Sequence, residues 1–301
     1  MAAGVNKTDP DPAPATRPVI GFVGLGEIGA PMARRILDAG WPLVLYARRA
    51  ETLKPFEGTA ATRVPTPREL GERADIVAVC VHDDAQVEEV VLGDSTGDGI
   101  LSGLRPGGLV VIHSTVSRDT CLHLAAAAAP RGVEVLDAPI SGGPDGARAG
   151  TLVVMAGGSE AAFARCQPVF ESFARSVRHV GPVGSGQAAK AINNALYAAQ
   201  GRLVDEAVAV GERLGIDRRV LIDVLQACSA DSFVLRRYGV TASLQYWLTQ
   251  RGTAAGNVVN VLAKDAQLYA KLAGVESESP GDVARLSQAF IEALRDLERR
   301  H

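Results

Sequence analysis

Several features are missing from this sequence, and each absence removes a class of protein. No run approaches the ~20 consecutive apolar residues that a membrane-spanning helix requires. Lysine and arginine form no dense cluster, and a net charge of -3 leaves no electrostatic footprint for nucleic acid or an anionic membrane surface. The first 17 residues hold Pro10, Pro12 and Pro14 among Ala, Asp and Thr, without an apolar signal core or an Arg-rich amphipathic pattern. They read as a disordered tail. The four cysteines, Cys80, Cys121, Cys166 and Cys228, are widely spaced with no C-x-x-C, which implies reduced packing thiols, and without a membrane-spanning run the protein is expected to be cytoplasmic. There is no internal repeat, and low complexity is confined to the tail and an alanine run at 125–129.

What is present is ordinary globular material, 47% hydrophobic and 22% charged, in a chain of 301 residues that is long enough for about two domains. Residues 19–23, 43–46, 75–81, 108–112 and 133–137 read as short apolar strands. Helical patterns near 28–39, 84–92, 118–129 and 159–175 separate them, and 151–155 and 176–180 read as further strands. That alternation predicts an α/β Rossmann-type domain over 18–182, with a parallel sheet covered on both faces. From 187 to 214 runs one long helical pattern, and the rest is helical with breaks at Gly215, Gly239, Gly252, Gly274 and Pro280-Gly281. The prediction is an all-α domain over 183–301, joined to the first by a long helix that contributes to the cleft between them. Its Ala-rich faces suit a homodimer or homotetramer.

The first strand runs into Gly24-Leu25-Gly26-Glu27-Ile28-Gly29, a G-x-G-x-x-G at a strand-to-helix turn. In that context the motif implies a dinucleotide: Gly24 for the tight turn, Gly26 for close approach of a pyrophosphate, and Gly29 for packing of helix on sheet. Beyond the second strand stand Arg48 and Arg49, with no carboxylate before Glu51. A carboxylate there would bind a ribose 2′-hydroxyl, whereas two guanidiniums suit a 2′-phosphate, so NADP is expected ahead of NAD. Two solvated surface arginines are the competing explanation.

Further motifs follow in order: His113-Ser114-Thr115, Asp137-Ala138-Pro139-Ile140-Ser141-Gly142-Gly143, Gly150-Thr151-Leu152, and Gly184-Ser185-Gly186-Gln187-Ala188-Ala189-Lys190-Ala191-Ile192-Asn193-Asn194. As an ordered set these resemble the β-hydroxyacid dehydrogenase family, which includes 3-hydroxyisobutyrate dehydrogenase, tartronate semialdehyde reductase, and the succinic semialdehyde and glyoxylate reductases. The resemblance extends from Val19 to about Ala273. It implies hydride transfer between a nicotinamide and a small β-hydroxy acid or its semialdehyde. It also implies that Val81, Thr115 and Lys264 approach the cofactor, that Thr115 also meets the substrate, and that Asp265 lies near the cleft.

The residues support that reading by themselves. Lys190 and Asn194 are four apart on a helix, so both can reach one ligand, and a lysine among alanines is costly to bury without a purpose. Lys190 is expected as general acid and base, and partial desolvation would lower it from its reference near 10.4 toward the working range. Asn194 would hold the substrate. Ser141-Gly142-Gly143 offers backbone N–H groups beside a hydroxyl, a nest suited to a carboxylate. Capping of a helix by Ser114 or Thr115 competes with a ligand role for Thr115.

Departures from the family pattern bear on the substrate. His113 stands where many relatives have Asp, Val81-His82 where they have Leu-Pro, and Asn257 where some have a substrate-facing Phe. A packing or supporting role is expected for His113, since Lys190 already fills the acid/base position. The competing functions are a non-catalytic NADP-binding module and an imine reductase, and Lys190 argues against both.

Overall fold

The computed structural model describes residues 17–93, 97–238, 255–273 and 281–298. The expected tail at 1–17 and the breaks at Gly239, Gly252, Gly274 and Pro280 lie outside these residues, Arg17 excepted. Among the described residues no helix is long and apolar enough to cross a membrane.

Among the described residues nine strands form one sheet: β1 (Ile20–Val23), β2 (Leu43–Tyr46), β3 (Thr62–Arg63), β4 (Ile76–Val79), β5 (Leu109–Ile112), β6 (Glu134–Asp137), β7 (Ile140–Ser141), β8 (Leu152–Gly157) and β9 (Ala174–Gly181). Their order is β3-β2-β1-β4-β5-β6-β8-β7, with β9 also on β8. From β3 to β6 every pairing is parallel. The expected parallel sheet is thus present, and at its far edge β8 runs antiparallel to β6 and β7 and parallel to β9. The Ser141-Gly142 turn leads into a short helix rather than a crossover onto a parallel neighbour, and the chain returns in the opposite sense. Elsewhere the continuous apolar runs have their cause in burial on both faces. In β4, Ile76 and Ala78 join a core with Phe22, Met32 and Phe170, while Val77 and Val79 join the opposite core with Val87 and Leu124.

The sheet is covered by α1 (Gly29–Asp38), α2 (Pro67–Arg73), α3 (Asp84–Leu92), α4 (Ile100–Gly103), α5 (Arg118–Ala128), α6 (Gly143–Ala149) and α7 (Glu160–Phe170). The cap of α5 is Ser117, whose Oγ accepts the Thr120 N–H at 3.0 Å. Capping therefore explains neither Ser114 nor Thr115.

After β9 come α8 (Ser185–Arg213), α9 (Arg218–Ala227), α10 (Phe233–Tyr238), α11 (Ala255–Leu272) and α12 (Asp282–Glu298). The long helix α8 begins against the sheet. The buried Asp137 carboxylate at the end of β6 accepts the N–H groups of Gly184 at 2.6 Å and Gln187 at 2.8 Å, so a side chain from the sheet caps the helix. Burial pushes the Asp137 carboxyl above its usual range, and these backbone donors pull it back. The Gln187 amide then donates to the Ser114 carbonyl at 2.8 Å and accepts the Val116 N–H at 3.2 Å. Farther along, α12 lies close against α8 at Gly201, where a Cβ would stand 2.7 Å from the Phe290 ring.

Candidate active site

The carboxyl ends of β1, β2 and β4 open onto a cleft of about 1910 Å³ that continues to the flank of α8. The glycine turn forms its floor. Gly24 has φ +93, and a Cβ there would lie 2.2 Å from the Cys80 carbonyl oxygen; at Gly29 a Cβ would lie 1.9 Å from the Gly24 oxygen. Both glycines are thus demanded by packing. Gly26 is different: it is exposed to the cleft, and a Cβ would meet no protein atom within 4 Å. The bare backbone at Gly26 has no internal reason and fits the approach of a bound pyrophosphate. The N-terminus of α1 has no side-chain cap, which leaves it suited to phosphate oxygens.

Leu25, Glu27 and Ile28 line this floor and Val81 the adjoining wall. Beyond β2, Arg48 and Arg49 are exposed and line the same end. Arg49 has a loose contact with Glu51 at 3.7 Å, and Arg48 pairs with no carboxylate among the described residues.

At the other end, Ser141, Gly142 and Gly143 line the cleft where β7 turns into α6. Gly142 and Gly143 have φ of +132 and +64, and α6 also starts without a side-chain cap. The wall opposite is α8. Asn194 lines it, and its Nδ2 donates to Oδ2 of Asp265 at 2.6 Å. Asp265, 1% exposed and carried on α11, leaves its Oδ1 buried without a hydrogen-bond partner among the described residues. One turn before Asn194 is Lys190, 9% exposed and not itself among the residues lining the cleft. Burial pushes the Lys190 ammonium below its ordinary range, with Lys264 adding to that and Asp265 opposing it. Burial pushes Asp265 up, against Asn194, Lys190 and Lys264. Amine, amide and carboxylate form one electrostatic unit.

Lys264 and Thr115 stand apart from the cleft lining. The Lys264 ammonium donates to the backbone carbonyls of Thr115 at 2.6 Å and His82 at 3.3 Å, joining α11 to the ends of β5 and β4. His113 is 2% exposed, with its ring edge-on to Phe170 and Phe173 and Nδ1 bonded to the Ala138 carbonyl at 2.8 Å. Burial lowers it to about 4, so it is a neutral packing residue. The side chain of Asn257 lies outside the described residues. Asp137 stood at the head of a motif without a role of its own, and the cleft-lining Tyr197, Phe233 and Arg237 were not singled out from the sequence. A carboxylate closing an apolar strand was a readable signal for the first, whereas a tyrosine along the 29-residue α8 and an aromatic and an arginine on the six-residue α10 look like ordinary surface.

Two family models cover nearly all of the chain. Residues 19–181 match the NAD binding domain of 6-phosphogluconate dehydrogenase, and residues 184–299 match the NAD-binding region of NADP-dependent 3-hydroxyisobutyrate dehydrogenase. A glycine floor of this form on this fold, matched by these two family models, defines an NAD(P)-dependent dehydrogenase. Among similar proteins, an NAD-dependent L-serine dehydrogenase of Pseudomonas aeruginosa is 34% identical over 86% of this chain and 87% of its own length. A 3-hydroxyisobutyrate dehydrogenase of the same organism is 34% identical over 88% and 89%. The solved structure of the Mycobacterium tuberculosis 3-hydroxyisobutyrate dehydrogenase with L-serine has a TM-score of 0.75 at 27% identity, covering 93% of this chain and 94% of that one. The chain belongs to the β-hydroxyacid dehydrogenase family.

Proposed function

We propose that the protein is an NADP-preferring dehydrogenase that interconverts a small β-hydroxy acid and its semialdehyde, with Lys190 as general acid and base. The observation that carries this reading is the buried lysine on α8, one turn from Asn194 and coupled to Asp265. The nicotinamide, when bound, accepts or supplies the hydride. In reduction the Lys190 ammonium donates its proton to the substrate carbonyl oxygen, and in oxidation the neutral amine takes the hydroxyl proton. Asp265, whose charge acts on Lys190 and whose Oδ1 has no hydrogen-bond partner among the described residues, steadies the ammonium form, and Asn194 orients the substrate oxygen. The Ser141-Gly142-Gly143 turn holds the acid group through its backbone N–H groups and hydroxyl. Gly24, Leu25, Gly26, Glu27 and Ile28 cradle the pyrophosphate, Arg48 and Arg49 take the 2′-phosphate, and Val81, Thr115 and Lys264 border the nicotinamide end.

We further read 18–182 as the cofactor domain and 183–301 as the helical domain of a cytoplasmic homo-oligomer. Exposed Leu203, Val210, Val220 and Val224 on α8 and α9 support the last point, and light scattering on the purified chain tests it.

The deciding experiment is Lys190→Ala. Turnover of small aldehyde acids with NADPH should fall about 100- to 10,000-fold, while NADPH binding followed by fluorescence persists. The parent's reductive rate should decline as pH rises through the lowered lysine value, and its oxidative rate should climb over the same range. An alanine variant that turns over normally removes the mechanism.

A further inference from the structure

The cleft does not end at Asn194. Tyr197 and Gln200 follow Asn194 along α8 and line the same cleft. At 1.5 Å per residue, Tyr197 is ~10 Å along the axis from Lys190 and Gln200 ~15 Å, whereas a four-carbon acid spans only ~4–5 Å. Facing this extension, α10 brings Phe233, Val234 and Arg237 to the wall. Phe233 is 60% exposed, and its ring centroid lies 6.4 Å from that of Tyr197. The guanidinium carbon of Arg237 lies 5.2 Å from the Phe233 centroid.

This geometry gives the exposed phenylalanine a purpose as a shelf, because a guanidinium held over a ring keeps its donors free at the edge. The neighbouring Arg236 is taken by Asp231 at 3.1 Å. Arg237 pairs with no carboxylate among the described residues, and its charge reaches the half-buried Tyr197, opposing the upward push of burial on its hydroxyl. A forked cation and a phenol therefore stand together in the same cleft as the Gln200 amide and the Ser141-Gly142-Gly143 turn.

We infer that Tyr197, Phe233 and Arg237 form a second anion subsite, so that the preferred substrate is a hydroxy acid whose far end carries another negative group, carboxylate or phosphate. This rests on the hydroxy-acid reading above, which supplies the first acid subsite at Ser141-Gly142-Gly143. Guanidinium pairing with either anion is bidentate, and the chemistry is shared.

Equilibrium binding tests it without turnover. NADP-loaded enzyme is titrated with malonate, succinate, glutarate and adipate, with monocarboxylates of matching length, and with 3-phosphonopropionate to separate the two anions. At one length the dianion should bind about tenfold or more tightly than the monoanion, as expected for a hydrogen-bonded charge. Arg237→Gln should abolish that preference and Arg237→Lys should keep part of it, with melting temperatures confirming that both variants fold. Equal binding of mono- and dianions by the parent, or an intact preference in Arg237→Gln, overturns the subsite. Failure to turn over any hydroxy acid, with the dianion preference present, would instead overturn the proposed function and leave the subsite standing.

Discussion

Replacing Asp137 by Asn tests how the lysine-bearing helix is held. The parent carboxylate accepts Gly184 N–H at 2.6 Å and Gln187 N–H at 2.8 Å from a fully buried position. Asparagine preserves the volume but has one oxygen, so one of the two N–H groups must face an NH2 donor. A hydrogen bond to a charged group contributes about 1.5–3 kcal/mol, and a carboxylate at a helix N-terminus adds up to about 2 kcal/mol. Against this, the amide escapes the burial penalty that pushes the Asp137 carboxyl upward. The balance is a loss of about 2–4 kcal/mol, or roughly 5–15 °C in melting midpoint at a few degrees per kcal/mol. Because Lys190 lies one turn beyond Gln187, kcat should fall along with stability. Calorimetry and steady-state kinetics on the purified variant read both. An Asp137→Asn variant that melted within about 1 °C of the parent would refute the claim that this carboxylate anchors α8.

The two glycines of the cofactor floor should behave oppositely. Gly29→Ala, whose Cβ would collide with the Gly24 carbonyl oxygen at 1.9 Å, should express poorly or melt far lower; Gly26→Ala should fold normally and lose NADPH affinity by fluorescence titration. His113 protonates at 6.5 when unfolded and only at about 4 when folded, so its contribution is complete above pH 6.5 and is lost as pH falls toward 4. That window corresponds to about 3 kcal/mol, and urea midpoints of the parent and His113→Gln should diverge across it; parallel curves would contradict the assignment. Arg48→Asp should move the ratio of kcat/KM for NADPH over NADH toward NADH by about 10- to 100-fold, and an unchanged ratio would show that Arg48 is only a surface charge.

The legible parts of this molecule were those where one local pattern has one physical solution. Apolar runs of four residues ending in Gly24-Leu25-Gly26 can only be a buried strand meeting a backbone-approach turn, and the spacing of Lys190 and Asn194 fixes a shared helix face. Strand direction was not legible at β8, because periodicity shows which residues are buried but not which way the chain runs. The two-residue strands β3 and β7 are shorter than any alternation can reveal. Helices α2 and α6 were missed for composition: Pro67–Arg73 is mostly polar, and Gly143–Ala149 carries Gly and Pro, which ordinarily end helices. The link from Asn194 to Asp265 was invisible for another reason, since the two residues are 71 positions apart and meet only through packing of α8 against α11.

The 29 residues of α8 make a ruler about 43 Å long. Its zero mark is pinned by Asp137, so the amine at 190 keeps its address whatever occurs farther along. Descendants of such a gene could exchange positions 197 and 200, and the facing arginine, to resize the molecule they accept without touching the proton-transfer chemistry. Diversification of substrate and conservation of reaction would then be written on separate stretches of a single helix.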